Sequence, residues 1–219
     1  MKAIKKIIIF IIILGIIGVI GYLVYDKVLK NNESEVKVIK TIKDYGYELN
    51  DNETELYNKE FDKLEEILSA KTVDYEAYAK AISKLFIIDF YTLDNKLSKN
   101  DIGGVEYLKD SMKDDFIEEA RSTFYRYLEL KEERTQKLPY VSKIESVDVE
   151  KTTFTILDTT TTTIKTSYKK STTTKSLGTE YEAYKVSISW DYKEDLDYET
   201  EANLMLIKDG KKLYIVEMD

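Results

Sequence analysis

The chain contains no cysteine and no histidine, one proline, one tryptophan and eight glycines in 219 residues. Without cysteine and histidine there is no Ser-His-Asp or Cys-His nucleophilic system, no imidazole acid–base chemistry, and no zinc held by imidazole or thiolate. Disulfides are impossible, so a domain outside the cell must rest on its apolar core. Lipoprotein processing, which needs a cysteine, is excluded as well. The paired glycines Gly103-Gly104 lack the Lys-Ser/Thr that completes a phosphate-binding loop. No catalytic constellation is visible, and the chain is expected to be a non-enzyme without metal or cofactor.

Positive charge is scarce too. Against 33 Lys and Arg stand 41 Asp and Glu, a formal net charge of −8. Residues 31–219 hold 28 of the basic and 40 of the acidic residues, which sets that part at −12. Phosphate affinity rests on basic surface, so nucleic acid is not an expected partner. Ile, Lys, Tyr and Asn are abundant, the bias expected from AT-rich codons. For that reason the eighteen tyrosines are not in themselves evidence of an aromatic binding surface.

One stretch is rich in what the rest lacks. "IIIFIIILGIIGVIGYLVY", residues 7–25, runs nineteen residues without a charge. As a helix it would be roughly 28 Å long, close to the ~30 Å hydrocarbon core of a bilayer. A cleavable signal has an apolar region of only about 7–15 residues and a small-residue cleavage site. Here the run ends in Tyr22-Leu23-Val24-Tyr25, and two tyrosines at that position suit the membrane interface. The run therefore reads as a retained anchor. Lys2, Lys5 and Lys6 precede it, while Lys27 and Lys30 follow it beside Asp26. This favours a cytoplasmic N-terminus and an extracytoplasmic body, a single-pass protein of the cell membrane. Gly15, Gly18 and Gly21 recur every three residues; helix pairing, and with it a homo-oligomer, is open. The expected organisation is a tail at 1–6, the anchor at 7–25, a polar stalk at 26–50 in which Val36, Val38 and Ile39 could form a short strand, and a folded domain at 51–219.

Within that domain Asn52-Glu53-Thr54-Glu55 has capping-box spacing, with Asn52 as the cap. Tyr57, Phe61, Leu64 and Leu68 follow on one helical face, so a helix is expected from Glu53 to Ala70. Asp74 can cap a second, in which Tyr78, Ile82, Leu85 and Asp89 share one face and Ala79, Phe86 and Phe90 another. A helix apolar on so many sides is buried on more than one. A third, Lys113 to Leu130, carries Phe116, Ala120, Phe124 and Leu128 at four-residue steps.

Pro139 marks the change to strands. Residues 141–157 supply one or two. Tyr184, Val186, Ile188, Trp190 and Tyr192 alternate with polar residues, and Thr200, Ala202, Leu204 and Leu206 continue with period two. Asp209-Gly210 signals a hairpin turn before the last strand. Helices first and antiparallel strands after them give an α+β fold, three helices packed on one face of a curved antiparallel sheet.

Two stretches carry competing readings. In residues 159–179, thirteen of twenty-one residues are Ser or Thr, with four lysines and no acid. Either Lys165, Lys169, Lys170 and Lys175 belong to a mobile basic arm touching anionic lipid or wall polymer, or the segment is a long hairpin, which threonine favours. Asp89, on an apolar face, is either a pocket acid of raised pKa served by Tyr78 or Tyr91, or a helix-end carboxylate bonded to an Arg, a Tyr or backbone. "EDLDYETE", residues 194–201, lacks the glycine and the spacing of a calcium loop; it reads as a strand connection whose charges discourage edge pairing.

Anchor, acidic stalk, three helices and a terminal antiparallel sheet together resemble the membrane-anchored nuclear-transport-factor-2-like (cone) proteins. In layout the closest of these are the assembly factors of type IV secretion and Gram-positive conjugation systems. "SKLFIIDFYTLDNKLSKNDIGGVEYL" is also similar to a segment of uncharacterised anchored proteins from low-GC Gram-positive bacteria. The resemblance covers residues 50–219 as an order of elements, contains no diagnostic motif, and the Thr-rich insertion departs from it, so no functional residue is carried over. It implies a cone domain outside the membrane that binds other membrane or surface proteins, within a secretion or conjugation assembly. A small-ligand or enzymatic pocket around Asp89, and a wall- or lipid-binding surface, are the alternatives.

Overall fold

The computed structural model describes residues 36–166 and 169–219, without the side chains of 132 and 158–177. The expected tail, the anchor at 7–25 and the stalk up to residue 35 lie outside the described residues. Among the described residues no helix is long and apolar enough to cross a membrane.

Three helices lie on a curved four-stranded antiparallel sheet, an α+β arrangement as expected. The chain enters through a hairpin, β1 (Val38–Ile42) with β2 (Tyr47–Asn50). Residues 38–50 are thus part of the domain rather than of a stalk. The reason is apolar burial: Tyr47 and Leu49 point to one side of β2 and are 0% and 5% exposed.

Helix α1 (Glu55–Ser69) buries Tyr57, Phe61, Leu64 and Leu68, the expected face. Its cap is Thr54, not Asn52: the Tyr57 N–H donates to the Thr54 hydroxyl at 3.1 Å. Two residues further along, Thr54 takes up the third orphan N–H of the helix, and the reciprocal bond expected from Glu55 has no role. Helix α2 (Tyr75–Tyr91) begins at Asp74, whose carboxylate accepts from Glu76 and Ala77 N–H at 3.0 and 3.2 Å. It is the central helix, buried on several faces between α1 and the sheet.

Helix α3 (Asp110–Ser122) starts three residues earlier and ends eight residues sooner than the apolar period implies. Thr123 turns the chain, and Tyr125 N–H bonds back to Ala120 at 2.9 Å. The turn sends Tyr125 into the core, where its hydroxyl donates to the Phe90 carbonyl at 2.7 Å. A continuing helix would carry that ring away from α2. The hydrogen bond and the burial of a whole tyrosine outweigh the propensity of the last two turns.

The sheet order is β3-β4-β5-β6, with β3 (Val141–Thr166), β4 (Lys169–Tyr192), β5 (Glu201–Asp209) and β6 (Lys212–Met218). Tyr184, Val186, Ile188 and Trp190 face the helices with Leu204, Leu206, Leu213 and Ile215. Residues 159–166 and 169–179 belong to the β3–β4 ladder, which keeps register to Thr166↔Lys169. β5 pairs with β4 only from Ala183 onward, so the distal part of β3 and β4 is a two-stranded ribbon. The hairpin at the end of the chain closes with Asp209 opposite Lys212, one residue later than Asp209-Gly210 suggests; Gly210 takes φ +63° at the first loop position.

Candidate functional site

Phe116 on α3 and Phe124, two residues past its end, pack against the core but stay partly exposed; the only α3 residue that is fully buried is Ala120. Between this helix and edge strand β6 a cleft of about 720 Å³ opens to solvent. Its floor is aromatic and aliphatic. Phe90 lies 5.1 Å from Phe116 and 5.6 Å from Phe124, and Tyr91 lies 5.4 Å from Phe124. Ile215, Val216 and Met218 of β6 close the opposite wall. Tyr198 leans in from the β4–β5 connection, 5.6 Å from Phe124 and 43% exposed. In that connection Asp197 has φ +60°, a conformation that Asp tolerates better than most residues.

The mouth is acidic. Glu119, Asp197, Glu199 and Glu217 line it and are all exposed. None of them has an ion-pair partner among the described residues. Burial pushes the Tyr91 hydroxyl up to about 12, and the Glu199 charge adds to this. Tyr91 therefore stays a neutral hydrogen-bond partner, directed at Met218 Sδ at 3.9 Å. The site offers apolar contact below and uncompensated negative charge above. That combination selects a partner with an apolar body and cationic groups.

Of the three residues singled out for a pocket, only Tyr91 lines this cleft. Tyr78 is fully buried, and its hydroxyl meets the Tyr47 hydroxyl at 2.6 Å. Asp89 pairs with Lys96 and accepts the Gly104 N–H at 2.6 Å. The three side chains do not converge, and Asp89 does not line this cleft. The ion pair is buried: Lys96 is 2% exposed. Burial works against the Lys96 charge, yet Asp89 and Glu53 together hold its pKa above the usual lysine value.

The paired glycines explain themselves here. A Cβ on Gly103 would overlap the Asp89 carbonyl, and one on Gly104 would come within 2.6 Å of Phe86; Gly104 also has φ +78°. Only glycine lets the backbone close over Asp89 and donate to it. Two further carboxyls border this polar centre. Burial, then the Asp89 charge, pushes Glu53 up to about 8. Burial pushes Glu106 up to about 7, partly offset by hydrogen bonds from Tyr107, the Glu48 N–H and Tyr57.

The side chains of Lys165, Lys169, Lys170 and Lys175 lie outside the described residues; their backbone runs in the ribbon. In residues 194–201 no three acidic side chains converge as a metal site, nor do any elsewhere among the described residues. The sequence reading missed Glu119, Glu199 and Glu217 because their positions in the chain are far apart. The available signal was the aromatic step Phe116–Phe124, apolar surface beyond what one helix needs to bury. No protein-family model, curated protein or solved structure matches the chain.

Proposed function

We propose that this chain is a single-span, membrane-anchored binding module, with its α+β domain on the extracytoplasmic side and a partner protein held in the acid-rimmed cleft. The unpaired, apolar-floored cleft between α3 and β6 is the observation that carries the reading. Its mechanism is positional: the apolar run 7–25 holds the domain at the membrane, and the cleft captures an apolar, Lys- or Arg-flanked segment of another membrane or surface protein. Helices followed by an antiparallel sheet, with a cleft between them, support membership of the cone-like, nuclear-transport-factor-2-like class. On that basis a place in a secretion or conjugation assembly is the proposed setting.

The test is co-purification from detergent-solubilised membranes, comparing the native chain with Glu119→Lys/Glu217→Lys. The native chain should carry a partner at stoichiometric yield and the variant should lose it. Equal recovery of the same proteins by both, or of the chain alone at every concentration, would refute the reading. A second reading has its own support: about 720 Å³ falls within the ~300–1,000 Å³ of small-molecule sites. On it the occupant is an amphiphile with an amine head, which native mass spectrometry of the purified chain would reveal as an added mass.

A further inference from the structure

At the opposite end of α2 from the polar centre, three turns meet. The β1–β2 turn brings Tyr45, the first turn of α2 brings Tyr75, and the β5–β6 turn brings Lys208, Lys211 and Lys212. The rings form a connected set, with Tyr45 6.4 Å from Tyr47 and 5.9 Å from Tyr78, and Tyr75 6.1 Å from Tyr78. Each lysine lies on a ring of this set. The Lys208 ammonium is 3.7 Å from the Tyr75 centroid, Lys211 is 4.8 Å from Tyr45, and Lys212 is 4.6 Å from Tyr47.

This matters because of what holds the cations. A lysine fixed by a carboxylate has its charge cancelled. One fixed over a ring face keeps its charge and leaves N–H donors directed at solvent. Among the described residues Lys211 and Lys212 have no ion pair, and Lys208 has only Glu182 at 4.0 Å. Lys212 is crowded as well: burial lowers its pKa, and Lys113 and Lys211 lower it further against the pull of Glu106 and Asp110. The same turns also carry carboxylates: Asp44 stands beside Tyr45, and Asp209 is taken up by Lys109 at 3.0 Å, so among the described residues the three lysines themselves keep no close carboxylate.

We infer that this end of the domain, with Lys208, Lys211 and Lys212 seated on Tyr45, Tyr47 and Tyr75, docks onto an anionic lipid headgroup layer. Tyr45 and Lys211 sit in the two turns, with Lys208, Lys212 and Tyr75 in the strands and helix beside them, and none of them lines the cleft between α3 and β6. Tyrosine and lysine are also the pair suited to an interface, each with an apolar body and a polar tip. The inference rests on the anchored reading and specifies how the domain is oriented on its membrane.

The chain has no cysteine of its own, so an introduced one is a unique probe. Asp44→Cys in the β1–β2 turn carries an environment-sensitive dye. Glu133→Cys, near the other end of α2 and roughly 25 Å away along that helix, carries it as a control. The full chain is reconstituted in phosphatidylcholine vesicles with and without phosphatidylglycerol. The dye at 44 should shift to the blue only with the anionic lipid, reverse in high salt, and lose the shift in Lys208→Gln/Lys211→Gln/Lys212→Gln. Each lysine removed should reduce docking roughly fivefold. The dye at 133 should stay unchanged. Identical spectra in the two lipid mixtures, or a shift that survives the triple substitution, would overturn the inference; so would a shift produced by soluble polyphosphate beside neutral vesicles. Flotation on neutral vesicles reports the anchor separately. If the chain fails to float there, the anchored reading falls, and flotation on anionic vesicles that the triple substitution abolishes would still uphold the docking end.

Discussion

Lys96 and Asp89 are a buried pair, and removing one partner leaves the other charge stranded. Lys96→Met is expected to cost about 3–5 kcal/mol of stability, and Asp89→Asn/Lys96→Met less than the sum of the single changes. Urea unfolding of the full chain in detergent checks both. The glycines beside the pair separate sterics from backbone freedom. Gly210→Ala, with nothing within 4 Å, should lose only about 1–2 kcal/mol for its left-handed backbone, whereas Gly103→Ala must displace the Asp89 peptide and should lose more. Glu53 and Glu106 set a pH dependence. Their folded pKa values, about 8 and about 7, lie above the ordinary 4.5, so between those limits the folded state binds more protons than the unfolded one. Stability should therefore fall as pH rises from about 5 to about 8, and the slope should flatten in Glu53→Gln/Glu106→Gln. A stability that rises over that window would contradict the burial of these carboxyls.

The helices and strands test their own boundaries. Thr54→Ala should cost about 1 kcal/mol, because the cap of α1 is lost, while Asn52→Ala should leave the helix end intact. Thermal melts of the two variants decide between the caps. A two-stranded ribbon is marginal by itself, so amides of 153–166 and 169–182 should exchange far faster than those of 183–189, which pair on both sides. Periodicity made the order and type of these elements legible: Tyr57-Phe61-Leu64-Leu68 and the alternation from Tyr184 to Tyr192 are faces that burial confirms. The end of α3 was not legible, because Phe124 and Leu128 keep the four-residue step whether or not the helix continues. What ended it was a hydrogen bond from Tyr125 to a carbonyl 35 residues away in sequence. A short strand was legible at Val36, Val38 and Ile39, overlapping β1, but its partner β2 was not, since the burial of Tyr47 depends on the distant Tyr78 and Leu213.

For the molecule as a whole, the sequence supplied charge and the fold supplied its distribution. Four carboxylates gather over an apolar cleft, while three lysines gather on tyrosine rings at another place, and neither grouping follows from spacing along the chain. Of the two readings of Asp89, a pocket acid or a helix-end carboxylate bonded to a neighbour, the geometry is that of the second: the loop 103–104 closes over it with the Gly104 N–H, and the exposed cleft lies at α3 and β6. A domain with an acid-rimmed cleft and three ring-seated lysines, proposed to be held at a membrane, is thus the physical content of the account. The most direct test uses a photo-crosslinker on Thr123→Cys, at the exposed lip of the cleft, in intact membranes, with Lys185→Cys on the outer sheet face as the comparison. The account predicts one discrete adduct from position 123, lost when Glu119→Lys/Glu217→Lys is added, and none from position 185. No adduct at 123, or the same adducts from both positions, would contradict it.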